Sequence, residues 1–126
     1  MKIENIKFKA KRLDNGEWII GNFVVMKIPA LSKTTIGIVA AGGATLHEVD
    51  PSTVCMFTGL KDCKGNEIWE GDIVEREIYD LFKGSAKVKA VIEYLDGAFV
   101  AITDGIPYSL YFKYIKVVGN KFDKEK

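Results

Sequence analysis

The chain has 126 residues, 48% of them apolar and 11% aromatic, with 18 basic against 17 acidic side chains. That length fits one domain or two very small ones, and the apolar content supplies a core, which excludes wholesale disorder. A net charge of +1 excludes a protein that grips nucleic acid by bulk charge and leaves room only for local patches, and no apolar run approaches the length of a membrane span.

The opening residues, MKIENIKFKAK, contain no apolar stretch of the kind an export signal needs, so no signal peptide is expected. Cys55 and Cys63 are too few for a metal framework or a disulfide scaffold. A reduced, cytoplasmic setting is therefore the expectation.

From Ile6 to Leu13 the chain alternates, with Ile6, Phe8 and Ala10 on one face and Lys7, Lys9 and Lys11 on the other, as in a half-buried strand. Asp14-Asn15-Gly16 reads as a turn. Glu17 to Met26 returns as a second strand, and Gly21 inside it signals a bulge or a close backbone approach. Pro29 ends that strand. Residues 27–48 leave two readings open: a second hairpin, Ile36–Val39 with Ala44–Val49 across Ala41-Gly42-Gly43, or a mobile loop. Asp50-Pro51-Ser52-Thr53 reads as a turn or one helical turn capped by Asp50.

Val54–Phe57 is a short apolar strand. Lys61–Asn66 is a polar turn around Gly65, followed by Glu67-Ile68-Trp69 and a further turn at Gly71-Asp72. Ile73–Tyr79 alternates, with Glu75 and Glu77 on the wet side and Val74, Ile78 and Arg76 on the other, which places Arg76 near an edge. Asp80–Ser85 reads as a loop. Ala86–Tyr94 puts Val88, Ala90, Ile92 and Tyr94 inward and Lys87, Lys89 and Glu93 outward. Asp96-Gly97 is a two-residue hairpin signal, and Ala98–Thr103 is its return strand. Ile106-Pro107-Tyr108 breaks that strand, Ser109–Tyr114 reads as a helical turn with Ser109 as cap, and Ile115–Val118 is a last strand. The charged tail Lys121–Lys126 is expected to fray.

The expectation is thus an all-β chain of about eight short strands with no amphipathic helix of normal length. Lys7, Lys9, Lys11, Lys87 and Lys89 are read as guards of exposed strand edges, and assembly into a homo-oligomer is the other way to cover an edge.

Candidate chemistry is sparse. Glu67, Glu70, Asp72, Glu75 and Glu77 could in principle serve acid–base work or a hard cation, but their positions suit a wet strand face and turns. His47, the single histidine, lacks a recognisable nucleophile or orienting partner. Cys55 and Cys63 lack the Cys-x-x-Cys spacing of a redox pair; Cys55 suits a core and Cys63 an exposed turn. Gly37, Gly42 and Gly43 have no phosphate-loop spacing. Neither a catalytic residue, a metal site nor a cofactor is assigned. Tyr108, Tyr111, Lys113, Tyr114 and Lys116 interleave aromatic and basic groups, which suits base stacking on a small barrel or, alternatively, plugging of the barrel end.

The segments Asp50-Pro51-Ser52-Thr53-Val54, Phe57-Thr58-Gly59-Leu60-Lys61-Asp62, Gly65, and Glu67-Ile68-Trp69-Glu70-Gly71-Asp72-Ile73-Val74 resemble the signature of the YopX family, encoded by phages and prophages. Ile6–Ala10, Gly16–Gly21 and Val117–Asn120 match its ends, so the resemblance spans nearly the whole chain except residues 27–48. The family turn usually reads Asp-Lys-Asn-Gly, where this chain has Asp62-Cys63-Lys64-Gly65, and Met56 stands where the family often has Gln. The resemblance implies one domain over residues 1–126: an N-terminal β-hairpin region (1–50) packed on a C-terminal SH3-like barrel (51–120), then a tail (121–126). It carries no assigned activity. The expected role is a non-catalytic interaction or assembly module in the host cytoplasm, self-associating or binding a host or phage protein and not a membrane; the alternative is a nucleic-acid-binding barrel. Within the signature, Gly59, Gly65 and Gly71 are expected to set turns, Asp62 and Asp72 to bond to turn backbone, and Ile68 and Trp69 to enter the core; Thr58 is part of the same structural motif.

Overall fold

Period-two alternation punctuated by glycine turns is realised as strand after strand in the computed structural model, which describes residues 2–40, 42–82, 84–109 and 115–123. The strands among these residues are β1 Phe8–Lys11, β2 Trp18–Ile28, β3 Lys33–Ala40, β4 Leu46–Glu48, β5 Cys55–Lys61 and β6 Glu67–Trp69. They continue as β7 Asp72–Asp80, β8 Gly84–Leu95, β9 Ala98–Thr103, β10 Ile106–Ser109 and β11 Lys116–Asn120. Helical structure there is limited to single 3-10 turns at Ile3–Asn5, Pro29–Leu31 and Pro51–Thr53. Two sheets result, in the orders β4-β3-β2-β1-β5-β6 and β10-β9-β8-β7-β11, and strand pairing closes neither of them on itself. The chain divides into two compact units, Met1–Phe57 and Thr58–Lys126, with the boundary inside β5.

In the first unit, β1 is flanked on both sides. It pairs with β2 from Phe8↔Gly21 to Lys11↔Trp18, and with β5 at Phe8↔Met56 and Lys9↔Cys55. The turn between β1 and β2 behaves as Asn and Gly dictate: Gly16 has φ +71, and the Asn15 side chain accepts from the Glu17 N–H at 2.9 Å. Lys33–Ala40 and Leu46–Glu48 form paired strands, as in the hairpin reading. β2 and β3 run antiparallel from Gly21↔Ala40 to Ile28↔Lys33, and β4 adds to β3 through Gly37↔Glu48 to Val39↔Leu46. Ala10, Ile38 and Val49 are fully buried, with Phe8, Ile19, Phe23, Ile36 and Val54 packed against them. Phe8 and Phe23 meet with ring centroids 5.6 Å apart.

Gly21 marks a close backbone approach. A Cβ there would lie 2.0 Å from the Val39 carbonyl oxygen, so only glycine lets β2 and β3 pair at this point. The β1 lysines do not guard an edge, because β1 is an interior strand. Instead Lys9 and Lys11 set their ammonium groups 4.7 and 5.2 Å from the Trp18 ring centroid, and Lys7 sits 4.7 Å from that of Phe57. The edge strands of the six-stranded sheet, β4 and β6, are three residues each, too short to template another chain easily.

The second unit buries Ile68, Val74, Ala90, Ile92, Ala101 and Ile115, with Val117 against them. Directly opposed residues share a face, so the pairs Val74↔Ala90 and Ile92↔Ala101 stack these side chains into one layer. Two Asp-Gly turns drive the hairpins. Asp96 and Gly97 both have positive φ, as do Asp104 and Gly105, the geometry that matches strand twist. Because of the second turn, Ile106–Ser109 is not a break but the edge strand β10, where Pro107 is tolerated because one side of an edge strand needs no N–H. Ser109 therefore lies in a strand, and the helical turn expected through Tyr114 falls at residues 110–114, outside the described residues.

Tyr94 is 56% exposed rather than inward, because β8 carries it beyond the core, where it meets Phe99 edge-on at 5.2 Å. Arg76, expected near an edge, is buried at 6% exposure. Lys87 and Lys89 lie on the part of β8 that β9, pairing only with Val91–Leu95, leaves uncovered. In the tail, Lys121 donates its N–H to the Gly71 carbonyl and Asp123 its own to Asn120, so residues 121–123 are held; 124–126 fall outside the described residues.

Gly21→Ala is expected to cost more than about 2 kcal/mol, since the methyl group and the Val39 carbonyl cannot both stay in place. A urea titration checks this; a loss within about 0.5 kcal/mol would mean the strands separate easily there.

Candidate functional site

The stretch with the densest polar chemistry is Thr58–Asp72, and its side chains serve the backbone. Gly59 lies within β5 at φ +85 rather than at a turn, and the Thr58 hydroxyl donates to the Ile68 carbonyl at 2.7 Å while accepting from the Leu60 N–H at 3.2 Å. Thr58 thereby tacks the end of β5 to β6.

Asp62 is the hub of the next turn. Its Oδ1 accepts from the N–H groups of Lys64 (2.9 Å) and Asn66 (2.8 Å). Its Oδ2 accepts from the Val117 N–H at 2.9 Å and the Asn66 side-chain amide at 3.3 Å. Gly65 has φ +83, which lets the Lys64 and Asn66 amides converge on one carboxylate. Desolvation pushes the Asp62 carboxyl up, but the Val117, Asn66 and Lys64 N–H donors together outweigh it and hold the group below its ordinary value.

Asp72 repeats the device. Its Oδ2 accepts from the Trp69 N–H at 2.7 Å across the turn that Gly71 makes at φ +86, and its Oδ1 accepts from the Asn120 side-chain amide at 3.0 Å. Asn120 in turn accepts from the Phe122 N–H at 2.9 Å. Asp72 and Asn120 are 3% and 6% exposed, and Ile68 and Trp69, consecutive on β6, are buried as well. A smaller copy of the motif sits at Asp50, which accepts from both the N–H and the hydroxyl of Ser52; these bonds hold its carboxyl below the usual value.

The remaining carboxylates do not converge. Glu75 is half-buried and reaches Lys87 at 3.8 Å, and Glu77 is exposed. Among the described residues, nowhere do three or more His, Cys, Asp or Glu side chains gather closely enough to hold a metal ion. Cys55 is buried with its thiol 3.2 Å from the Thr53 carbonyl, and Cys63 is exposed; the two are not joined by a disulfide. His47, in β4, lines a shallow cleft of about 340 Å³ with Arg12, Leu13, Asp14, Leu46 and Glu48. The Arg12 guanidinium binds Asp14 through two bonds of 3.0 and 2.6 Å and thereby holds its carboxyl below the ordinary value. Of the two carboxylates that line the cleft with His47, Asp14 is thus committed to Arg12.

Of the aromatic and basic group near the C-terminus, Tyr111, Lys113 and Tyr114 lie outside the described residues. Tyr108 is half-buried in β10, and the Arg76 guanidinium lies over its ring, 3.8 Å from the centroid. Lys116 is exposed at the start of β11, opposite Glu75. The Arg76–Tyr108 stack is not readable from the sequence. Tyr108 lies opposite Ala101, and Arg76 lies two residues after Val74, so both project on the core side of the sheet. Strands β7 and β10 are three places apart in the sheet order, roughly 14 Å if flat, so the contact requires the sheet to curl strongly. A second cleft, of about 400 Å³, is lined by Ile73, Lys89, Val118, Gly119, Asn120, Lys121 and Asp123, beside the register shift of β11.

Comparison with known proteins gives a family and a fold. The profile of the family described as YopX protein matches residues 7–125. No curated protein matches the sequence. Among solved structures, the crystal structure of protein EF1440 from Enterococcus faecalis is similar, with a TM-score of 0.50 and 23% identity over 91% of this chain and 92% of that one. No helix among the described residues is long and apolar enough to cross a membrane.

Asp62→Asn is expected to cost about 2 kcal/mol at pH 7, since an amide replaces an acceptor of several N–H groups. A carboxyl held low in the folded state contributes stability above its unfolded value near 3.9 and loses it as pH falls through the folded value. The gap between Asp62→Asn and the wild type should therefore narrow between about pH 5 and pH 2; an unchanged gap in denaturation curves would count against the carboxylate's role. At the neighbouring turn, Gly71→Val should melt the protein several degrees lower while Glu70→Gln changes little. The reverse order of melting temperatures would revive an active site at Glu70.

Proposed function

This chain belongs to the YopX family, and from that premise we propose that it is a non-catalytic interaction and assembly module. It is encoded by a phage or prophage, works in the host cytoplasm and self-associates or binds a host or phage protein. The observation that carries this reading is the use of the signature's polar groups. Thr58, Asp62, Asp72 and Asn120 spend their hydrogen bonds on carbonyls, N–H groups and, for Asp72 and Asn120, each other, so these groups hold turns and strand ends together. A site for chemistry is normally a cleft with convergent, unsatisfied polar groups. Residues 51–120 are read as an SH3-like barrel, supported by the curl that brings Arg76 over Tyr108.

The second reading is nucleic-acid binding through Tyr108, Tyr111, Lys113, Tyr114 and Lys116. Exposed Lys116 favours it. Against it, one face of Tyr108 is already taken by Arg76, and the net charge is +1.

Fluorescence anisotropy with single-stranded and duplex oligonucleotides at about 50 mM salt separates the two. The module reading expects no salt-dependent binding, together with a mass above the monomer in light scattering. A strict monomer that binds oligonucleotide with a steep salt dependence would replace it with the second reading.

A further inference from the structure

β2 is longer than its neighbours. β1 covers it only from Trp18 to Gly21, and β4 covers β3 only at Gly37–Val39, with one further bond from the Val49 N–H to the Ile36 carbonyl. Asn22–Ile28 and Lys33–Thr35 therefore form a two-stranded ribbon that outruns its sheet. Val25 and Met26, neighbours on opposite faces, are 48% and 46% exposed, and Leu31 at the turn is 69% exposed. An isolated two-stranded ribbon is marginal in water.

The direction of its unpaired groups can be read off. The Arg12 N–H donates to the Glu17 carbonyl, so residues 17, 19 and 21 of this strand face β1 and residues 18, 20 and 22 face β3. The bond from Val49 to Ile36 confirms the phase on β3. Phe23, Val25 and Lys27 thus direct N–H and C=O to the side where β1 has ended. The uncovered stretch of β8 shows how this chain treats an edge left to water: it carries Lys87 and Lys89 opposite Glu77 and Glu75. The β2 stretch is more thinly defended, with Lys27 alone. From Ile19 to His47 the only full charges are Lys27 and Lys33.

We propose that this edge is the contact between two copies of the chain, an inference that rests on the self-association reading above. The β2 edges add antiparallel about a two-fold axis at Val25. That register uses every outward group: Val25 opposes Val25 of the second copy, and Phe23 opposes Lys27 in both directions, each pair exchanging both hydrogen bonds. It also suits the charges. The two Lys27 side chains are held roughly 14 Å apart, beyond the screening length, and each faces an aromatic ring, the arrangement Lys7 and Lys9 already adopt within the chain.

The test is light scattering of the full chain over a concentration series, with Val25→Pro and Val25→Lys. Proline at 25 removes an outward N–H and leaves the β2–β3 ladder its bonds; lysine places like charges face to face at the axis. The expected result is a wild-type dimer and at least a tenfold weaker association in both variants, with the circular dichroism of the wild type. If Val25→Pro unfolds, Val25→Lys decides alone. A wild-type dimer that folded variants leave intact would overturn the ribbon contact while sparing self-association. A wild type monomeric at every concentration would overturn both and leave the edge to a strand from a different protein.

Discussion

Two buried carboxylates hold the second unit together at its seams. Asp62 and Asp72 each gather an N–H from the turn beside them and a group from β11, the last strand: the Val117 N–H in one case, the Asn120 amide in the other. β11 needs both. It is five residues long, pairs only with β7 among the described strands, and loses register between Val117 and Gly119. A short edge strand with an interrupted ladder frays unless something else fixes its ends. The two carboxylates do that, and they also satisfy backbone donors that would otherwise be buried without acceptors.

This explains why the Gly and Asp positions come together in the sequence. Gly65 and Gly71 take positive φ so that successive amides can turn toward one oxygen pair, and the aspartates supply the oxygens. Trp69 is placed by the same device: its own N–H is bound by Asp72 while its ring fills the core. What looks like an acidic cluster along the chain is a set of internal fastenings, and the wet carboxylates Glu75 and Glu77 point elsewhere.

Much of this is legible in the residues. Alternation locates most strands, Asp96-Gly97 its hairpin, Gly21 a close approach, and Trp69 and Cys55 their burial. The features that escape a reading of the sequence depend on pairing. The lysines of β1 look the same in sequence whether β1 is an edge or an interior strand, and only β5 returning beside it decides. Arg76 looks like an edge residue because no local pattern announces that Tyr108, 32 positions on, will cover it. Asp104-Gly105 is masked by the neighbouring Pro107, though it obeys the same rule as Asp96-Gly97. The partners of Asp62 and Asp72 on β11 are invisible to any local reading, since they lie 55 and 48 residues away.

If the carboxylates fix β11, the amides they hold must open only when the whole unit opens. Native-state hydrogen exchange on the Val117 and Trp69 N–H groups measures this directly. Both should exchange with a free energy close to that of global unfolding, level with the core amides of β8. Exchange of Val117 as fast as a frayed strand end, with the β8 amides still protected, would contradict the fastening role of the two carboxylates.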